Sequence, residues 1–422
     1  MKVINHKLWL NGLAVWAVLW AGIVSAAEID YPVAAYFGEE LAKVRAWEKT
    51  WAGKKIDGSN IDQVAEFLPE SFAGMYKEPE KWAAPEEGLF FNIVPYQRVM
   101  DTQGMIDATQ KNAPLVKTND DGTIVNYAGL AGIPYPTPKT GLEIAWNFDS
   151  TNHGDSAHYK RNSPNINPKT RSERFGDQEQ WELYFVHRTE LDPKPQIPKN
   201  PKGYHRGTFI HMWGPPEFMN TRYFSMRFID PKKDDSMYMW YQAFRRIRRM
   251  STKQRSDAVD GTDLIYDDEF FWDGHIMRNT YEFKGTRELL CSRHQDMKKV
   301  SRATGQIVPN NLDLERTKLL VVEVINKDAN YIYGKRVWYV CPETYIIRWT
   351  DIYDEKGRFW KTFAMFTNDV KTKTGAVKNF IVGYSLIDFQ RTHGGYNIQD
   401  IQGISIDVNP KIFTISNLQR TY

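Results

Sequence analysis

Beyond residue 178 the sequence is dominated by short runs of aromatic and β-branched residues. The runs are EQWELYFVHRTE, GTFIHMWGPP, TRYFSMRFID, SMYMWYQAF, TRELLCSR, KLLVVEVIN, KRVWYVCPETYIIRWTDIYDEKGRFWKTFAMFTND and NFIVGYSLIDFQ. Because turn signals such as PKNPKG and DPKKDD separate them, they predict consecutive antiparallel strands, with turns at CPET and DEKG. A meander of this length favours a mainly β fold, built as a large, strongly curved sheet or an incomplete barrel.

The first 26 residues have the pattern of a secretory signal peptide. Lys2 and Lys7 form a positively charged N-terminal region, and residues 13–24 form an apolar segment. Val24-Ser25-Ala26 then supplies the small residues that a signal peptidase recognises. We therefore predict a signal peptide over residues 1–26 and a periplasmic protein that can associate with the outer membrane. The alternative is an uncleaved membrane anchor.

Two regions are expected after the signal peptide. Residues 27–120 form a helical and irregular region, with a helix over 37–51 and a second one that Ser59 or Asn60 caps and Pro69 closes. Residues 121–422 form the β-rich domain. Within it, Pro and Gly dominate residues 122–147, which predicts a fixed, non-repetitive connection there.

The run from Met237 to Tyr241 is apolar on both faces of the predicted strand. Alternation puts Met237, Met239 and Tyr241 on one face and Tyr238 and Trp240 on the other. Either a core and a helical layer cover the two faces, or one face lines an apolar cavity for a ligand. The candidates for such a cavity are Tyr238, Trp240, Phe244, Trp272, Trp338 and Trp349.

A dense basic cluster, RRIRR, follows this strand, and the acidic stretch DGTDLIYDDE comes after it. An exported protein does not meet the chromosome, and removal of the signal peptide leaves 53 basic against 52 acidic residues, so we expect no nucleic-acid partner. Arginine pairs well with carboxylate, so the cluster is interpreted as pinning the following loop. The alternative is contact with anionic lipid headgroups or an acidic partner. The residues concerned are Arg245, Arg248, Arg249, Asp263, Asp267 and Asp268.

The sequence has no familiar catalytic or cofactor motif, so we predict no catalytic residue, no metal and no cofactor. Cys291 and Cys341 either form one disulfide in an oxidising compartment or stay free. His153, Asp155 and His158 form a polar loop that an enzyme of unrecognised type could use.

The order of several segments resembles a known family. FRRIRRM followed by DGTDLIYDDE is similar to an R-R-x-R-R … G-S-D-x-x-Y-E-D pattern of outer-membrane lipoprotein-sorting-like proteins, with Thr262 and Asp267 replacing Ser and Glu. NYAGLAGIPYP, GLEIAWN, the KRVWYVCPETYIIRWTDIYDEKGRFWK hairpins and PKIFTISNLQR are similar to the secreted family called domain of unknown function 1329. The likeness runs from about residue 60 to the end. That family commonly has Asp where this chain has Cys341, which argues against a disulfide shared by the whole family.

The resemblance implies a LolA/LolB-like fold: a half-open β-barrel whose mouth is covered by helices, with an apolar cavity between. It also implies a periplasmic companion of envelope export. The leading hypothesis is a binding or carrier protein for a lipid, lipoprotein or other hydrophobic molecule, with at most peripheral membrane contact and an inner-membrane exporter or outer-membrane protein as partner. The alternatives are an envelope hydrolase and a structural adaptor without a ligand.

Overall fold

The computed structural model describes residues 30–251, 255–259 and 261–419, and these form one 17-stranded sheet. The predicted signal peptide lies outside the described residues. The strands are β1 Lys55–Asp57, β2 Phe90–Ile93, β3 Ser156–Asn162, β4 Asn165–Asn167, β5 Ser172–Arg174, β6 Asp177–Tyr184, β7 Tyr204–Met212, β8 Arg222–Phe228, β9 Ser236–Tyr241, β10 Arg246–Met250, β11 Asn279–Cys291, β12 Leu312–Asn326, β13 Lys335–Val340, β14 Ile347–Tyr353, β15 Phe359–Lys371, β16 Val377–Asp388 and β17 His393–Ile404.

The main ladder is antiparallel and has β17 in its middle. On one side of β17 the order is β3, β6, β7, β8, β9 and β10. On the other side it is β16, β15, β14, β13, β12 and β11. Two short additions complete the sheet: β4 and β5 extend from β17, and β2 pairs in parallel with β12 and carries β1. Within the described residues, β10 and β11 are therefore the two ends of the ladder.

Five α-helices accompany the sheet within the described residues: α1 Gly38–Trp51, α2 Glu70–Met75, α3 Gln103–Asn112, α4 Gly141–Ser150 and α5 Ile415–Leu418. The helix predicted over 37–51 is confirmed. The prediction of a second α-helix between Ser59 and Pro69 is wrong: short 3₁₀ turns form at Ile61–Gln63 and Ala65–Phe67, and α2 begins directly after Pro69. None of the helices in the described part of the chain has the length and apolar character needed to cross a bilayer.

The prediction of a non-repetitive connection over 122–147 is also wrong, because α4 begins there. Thr140 accepts a hydrogen bond from the Glu143 backbone and the Glu143 side chain accepts one from the Thr140 backbone, which is a capping box. Gly141 allows the helix to start against β11: a Cβ at Gly141 would lie 2.8 Å from the carbonyl atoms of Tyr281.

Both faces of the sheet are covered. The inner face, defined here as the one that contacts α4 and residues 264–277, carries a core around Trp338, Phe363 and Tyr384. The opposite outer face is covered by residues 56–93 around Trp349 and by the C-terminal residues 406–418. The predicted fold class, mainly β with a large antiparallel sheet and few helices, is confirmed. The boundary at residue 120 stays a prediction, although β1 and β2 from the N-terminal region pair into the sheet.

Candidate functional site

A cavity of about 120 Å³ lies between the inner face of β6–β9 and a segment that crosses this face, residues 261–275, called the strap below. Strand alternation builds the first wall, because Thr208, Ile210 and Met212 of β7 point to the same side. The neighbouring strands contribute Tyr223, Ser225 and Met237. The strap contributes Leu264, Ile265, Tyr266 and Phe270, and Tyr384 reaches the cavity from β16. The walls are therefore largely apolar.

A network of three arginines and three aspartates closes one end of the cavity. Asp235 Oδ2 lies 3.0 Å from Arg227 Nη2 and 3.0 Å from Arg255 Nη1. Asp273 binds Arg227 Nη1 at 3.2 Å, Arg255 Nη2 at 3.2 Å, and Arg206. The third aspartate, Asp267 of the strap, pairs with Arg255 Nε. The three positive charges are thus matched by three negative charges inside the protein.

The arginines hold the carboxyl groups of Asp235 and Asp273 in the ionised form. Burial alone raises the pKa of Asp235 and Asp273, but the neighbouring guanidinium groups outweigh it. The pKa of Asp235 falls well below its usual value, and that of Asp273 falls to about 2. Asp235 and Asp273 therefore stay ionised beside the guanidinium groups at ordinary pH.

The strap is locked in an unusual backbone conformation where it meets the cavity. Phe270 and Phe271 both have positive φ, 51° and 71°, which costs about 1–3 kcal/mol for each such residue. Ring packing holds them: Phe270 lies 4.0 Å from the His153 ring centroid and Phe271 lies 4.9 Å from that of Phe363. Glu269 adds an ion pair to Arg161, and both of these side chains line the cavity.

The predicted pairing of the RRIRR arginines with the strap aspartates is wrong. Asp267 pairs with Arg255 and accepts a hydrogen bond from Tyr331 Oη at 2.9 Å. Asp268 lies 2.8 Å from Arg336 Nη1 and accepts from Tyr333 Oη at 2.9 Å. Neither arginine belongs to the RRIRR cluster: Arg255 lies between the cluster and Asp267 in the sequence, and Arg336 lies far beyond the strap.

The third predicted aspartate is also held by residues from elsewhere in the chain. The Asp263 carboxylate pairs with His393. The backbone carbonyl of Asp263 accepts a hydrogen bond from Lys361 Nζ at 2.6 Å. The strap is pinned as expected, but Arg245, Arg248 and Arg249 are exposed and make no ion pair within the described residues.

The six aromatic candidates do not line this cavity in the described structure. Tyr238 and Trp240 lie on the outer face, where they pack with the C-terminal segment. Trp349 is also on the outer face, with its ring 4.8 Å from that of Phe72.

The other three candidates divide between the inner core and the surface. Trp338 and Trp272 pack against each other in the inner core, with ring centroids 5.0 Å apart, and Trp272 also borders a smaller cavity of about 30 Å³. Phe244 is exposed at a hairpin turn. Alternation separated the two faces of β9 correctly, but it did not show which face meets the cavity. The face with Met237 and Met239 does so.

No disulfide joins Cys291 and Cys341 in the described structure, so that alternative is corrected: both are buried free thiols. The Cys291 thiol donates to the Leu289 carbonyl at 3.7 Å, and burial raises its pKa to about 12. Both side chains belong to the apolar core of the outer face, and the Cys291 thiol with its raised pKa stays protonated and unreactive there.

The loop with His153, Asp155 and His158 does not assemble into one site. His153 binds Glu182 at 3.1 Å, whereas His158 binds Glu179 at 2.7 Å and stacks on Trp181. The Asp155 carboxylate accepts backbone N–H groups of residues 189–191. Among the described residues, no group of three or more His, Cys, Asp or Glu side chains is arranged to hold a metal ion.

Sequence reasoning missed Arg206, Arg227, Arg255, Asp235 and Asp273. A signal for part of the site was present. In YHRGTFIHM the residues Arg206, Thr208, Ile210 and Met212 alternate with the others, so that polar side chains share a strand face with apolar ones. A face of mixed polarity on a strand within a large sheet is typical of a polar network beside a cavity.

These features define a β-sheet protein that encloses a cavity between its inner face and a pinned strap. The chain belongs to the DUF1329 family of proteins of unknown function, whose family model matches residues 55–419. It is 25% identical to an uncharacterized protein of Pseudomonas aeruginosa over 327 residues, which cover 72% of this chain and 67% of that one.

Three solved structures are similar to this chain at low sequence identity. A DUF1329 family protein from Desulfovibrio piger is 14% identical with a TM-score of 0.47, over 66% of this chain and 98% of that one. A domain described as outer membrane lipoprotein-sorting, from Vibrio parahaemolyticus, is 15% identical with a TM-score of 0.47 over the same shares. A LolA superfamily protein from Nitrosomonas europaea is 13% identical with a TM-score of 0.39, over 66% of this chain and 100% of that one.

Proposed function

We propose that the protein is a periplasmic carrier that binds a lipid, the acyl part of a lipoprotein or another hydrophobic molecule in the strap cavity. The observation that carries the proposal is the lining of this cavity. Ile210, Met212, Met237, Leu264 and Phe270 offer apolar surface to a ligand. A hydrophobic molecule gains free energy by leaving water for such a surface.

The charge network at the end of the cavity supports the same ligand class. Because Arg206, Arg227 and Arg255 are matched by aspartates, a strongly charged ligand would have to break existing pairs to bind there. A molecule that is mostly apolar, with neutral polar groups at one end, disturbs none of them. Binding and release of such a ligand need no covalent step.

The decisive experiment fills the cavity with a large side chain introduced on β7 and measures whether the bound ligand is lost. Thr208 lines it and is only half-buried, so Thr208→Trp places an indole ring in the cavity without removing a core side chain. Mature protein isolated from the periplasm without detergent is measured by native mass spectrometry, and the bound molecule is then extracted with organic solvent and identified. We expect wild type to carry a lipophilic molecule and Thr208→Trp to lose at least about 90% of it.

Thr280→Trp is the matched control. Thr280 is an exposed residue of β11, so the same substitution there leaves the cavity unchanged and ligand loading should equal that of wild type. Equal loading of both variants, each with wild-type circular dichroism, would refute this cavity as the binding site. A clean ligand-free mass of wild type, unchanged after incubation with envelope lipids, would refute the carrier function and favour the structural adaptor.

The location and partners belong to the same proposal. We place the mature chain in the periplasm, beside an inner-membrane exporter or an outer-membrane protein that supplies or accepts the ligand. The pattern of residues 1–26 supports export. N-terminal sequencing of the protein from a periplasmic extract should begin at residue 27 or 28, and an intact Met1 in the membrane fraction would contradict cleavage.

A further inference from the structure

The hairpin of β9 and β10 ends in an exposed aromatic residue. Residues 242–245 form its turn, and the Phe244 side chain is 71% exposed. The next residue, Arg245, has a positive φ of 48°, a conformation that non-glycine residues rarely adopt. Exposing an apolar ring at the tip of a hairpin is unfavourable in water and favourable at a membrane interface, where aromatic side chains collect.

Four exposed arginines surround this tip. Arg245, Arg246, Arg248 and Arg249 make no ion pair within the described part of the chain. By contrast, the arginines at the end of the cavity are all paired with aspartates. The chain as a whole has a net charge of only +3, so the hairpin concentrates positive charge that nothing else in the described structure neutralises.

The register of the hairpin distributes this charge over both of its faces. Arg246 and Arg248 stand opposite Tyr241 and Met239, on the face that continues into the cavity wall at Met237. Arg249 stands opposite Tyr238, on the other face. The hairpin is therefore apolar at its tip and cationic on both sides, and β10 is an end strand with no further neighbour in the described ladder.

We propose that this hairpin docks on a membrane surface that contains anionic phospholipid. In this arrangement Phe244 enters the interface and the four guanidinium groups bind lipid phosphates, which guanidinium groups recognise in bidentate fashion. The cavity wall at Met237 lies four residues from Tyr241, about 14 Å along the strand, so docking brings the cavity close to the lipid surface. The docking does not depend on what the cavity holds.

The test is sedimentation of purified protein with vesicles of phosphatidylcholine alone or of phosphatidylcholine with about 30% phosphatidylglycerol. We expect binding only to the anionic vesicles and a loss of binding as salt is raised. Each arginine at such a surface contributes about five-fold in partition, so replacing all four by Gln lowers partition on the order of several hundred-fold. Phe244→Ser alone lowers it about tenfold.

The matched control removes the same charge elsewhere. Four exposed lysines that make no ion pair in the described structure are replaced by Gln: Lys169, Lys194, Lys199 and Lys411. Net charge falls equally in both quadruple variants, so sedimentation of the lysine variant should stay within about twofold of wild type if the hairpin is the docking site. An equal loss in the two variants would refute a specific site.

The competing explanation is that the arginines only keep the end strand from pairing with other chains. In that case wild type does not sediment with either vesicle, and the arginine variant aggregates. Retention of wild type on immobilised poly-glutamate but not on anionic vesicles would overturn the proposal in favour of an acidic protein partner. The Thr208→Trp variant, which tests the cavity, should bind vesicles as wild type does, so failure of one proposal is distinguishable from failure of the other.

Discussion

The buried carboxylate of Asp235 allows a quantitative test of the network at the end of the cavity. Its side chain is 1% exposed and lies 3.0 Å from nitrogens of both Arg227 and Arg255. With an effective dielectric constant of about 20, two unit charges about 4 Å apart attract by about 4 kcal/mol. Burying the carboxylate costs several kcal/mol in return. Removing one partner of such a pair destabilises a protein by about 3–5 kcal/mol, because the other charge is left buried and unmatched.

Asp235→Asn keeps the shape of the side chain and one oxygen acceptor but removes the charge, so we expect the lower end of this range, about 3 kcal/mol. The measurement is urea unfolding at pH 7, followed by tryptophan fluorescence. The control is Asp257→Asn, a change of the same kind at an exposed residue two positions after Arg255, which should alter the free energy of unfolding by less than about 0.5 kcal/mol.

The pH dependence gives a second check on the same reasoning. Because the pKa of Asp235 is lower in the folded protein than in the unfolded one, its stabilising contribution is present above about pH 4 and is lost as pH falls through the folded pKa. The stability difference between wild type and Asp235→Asn should therefore be constant from pH 7 to about pH 4 and shrink below that. A difference under about 1 kcal/mol at pH 7, or one that grows on acidification, would refute the assignment.

Three further predictions concern the inner core, the start of α4 and the pairing of the strap. Trp338→Ala removes a fully buried inner-core ring and should lower the free energy of unfolding by about 3–5 kcal/mol, measured with urea; a loss under 1 kcal/mol would contradict its core position. Thr140→Ala removes the cap of α4 and should cost about 1 kcal/mol in the same assay, while Thr140→Ser should be near neutral. The hydrogen bond to Asp263 raises the pKa of His393 above 6.5. Thermal midpoints should therefore show wild type more stable than His393→Gln below about pH 6.5, and this advantage should be lost as pH rises through the raised pKa. A difference that does not depend on pH would exclude the pair.

The strands were predictable because their signal is local. Alternation and turn residues place β6 to β9 and the later hairpins close to the runs in the sequence. The same alternation showed that both faces of β9 are covered, and Met237 and Met239 are indeed buried, with Tyr238 and Trp240 packed on the other side. The face that meets the cavity could not be predicted, since it depends on where the strap crosses the sheet.

Partners distant in the sequence explain most of what was missed. Asp268 pairs with Arg336 and Asp263 with His393, whereas the sequence offered a nearer arginine cluster for both. Nearness along the chain says little about which charges meet across a folded sheet. The helix α4 was missed for another reason. The Pro and Gly residues before it predicted a non-repetitive connection, although Thr140 and Glu143 form a capping pair, which is a local sequence signal for the start of a helix.

The position of β17 in the ladder has a consequence for how the chain reaches this structure. β17 pairs on one side with β16, its neighbour in sequence, and on the other with β3, which is made more than 200 residues earlier. The six strands of that side, β3 and β6 to β10, are synthesised long before the strand that joins them to the rest of the sheet. Until residue 404 has been made, the two halves cannot be joined, and the inner core around Trp338 and Tyr159 has one side open. The complete ladder can therefore form only after β17 has been synthesised, and long-range pairing of this kind is slow. A variant that ends before β17 should leave two separate half-sheets with unpaired strand edges and an open apolar core, which is the state that chaperones bind and proteases remove.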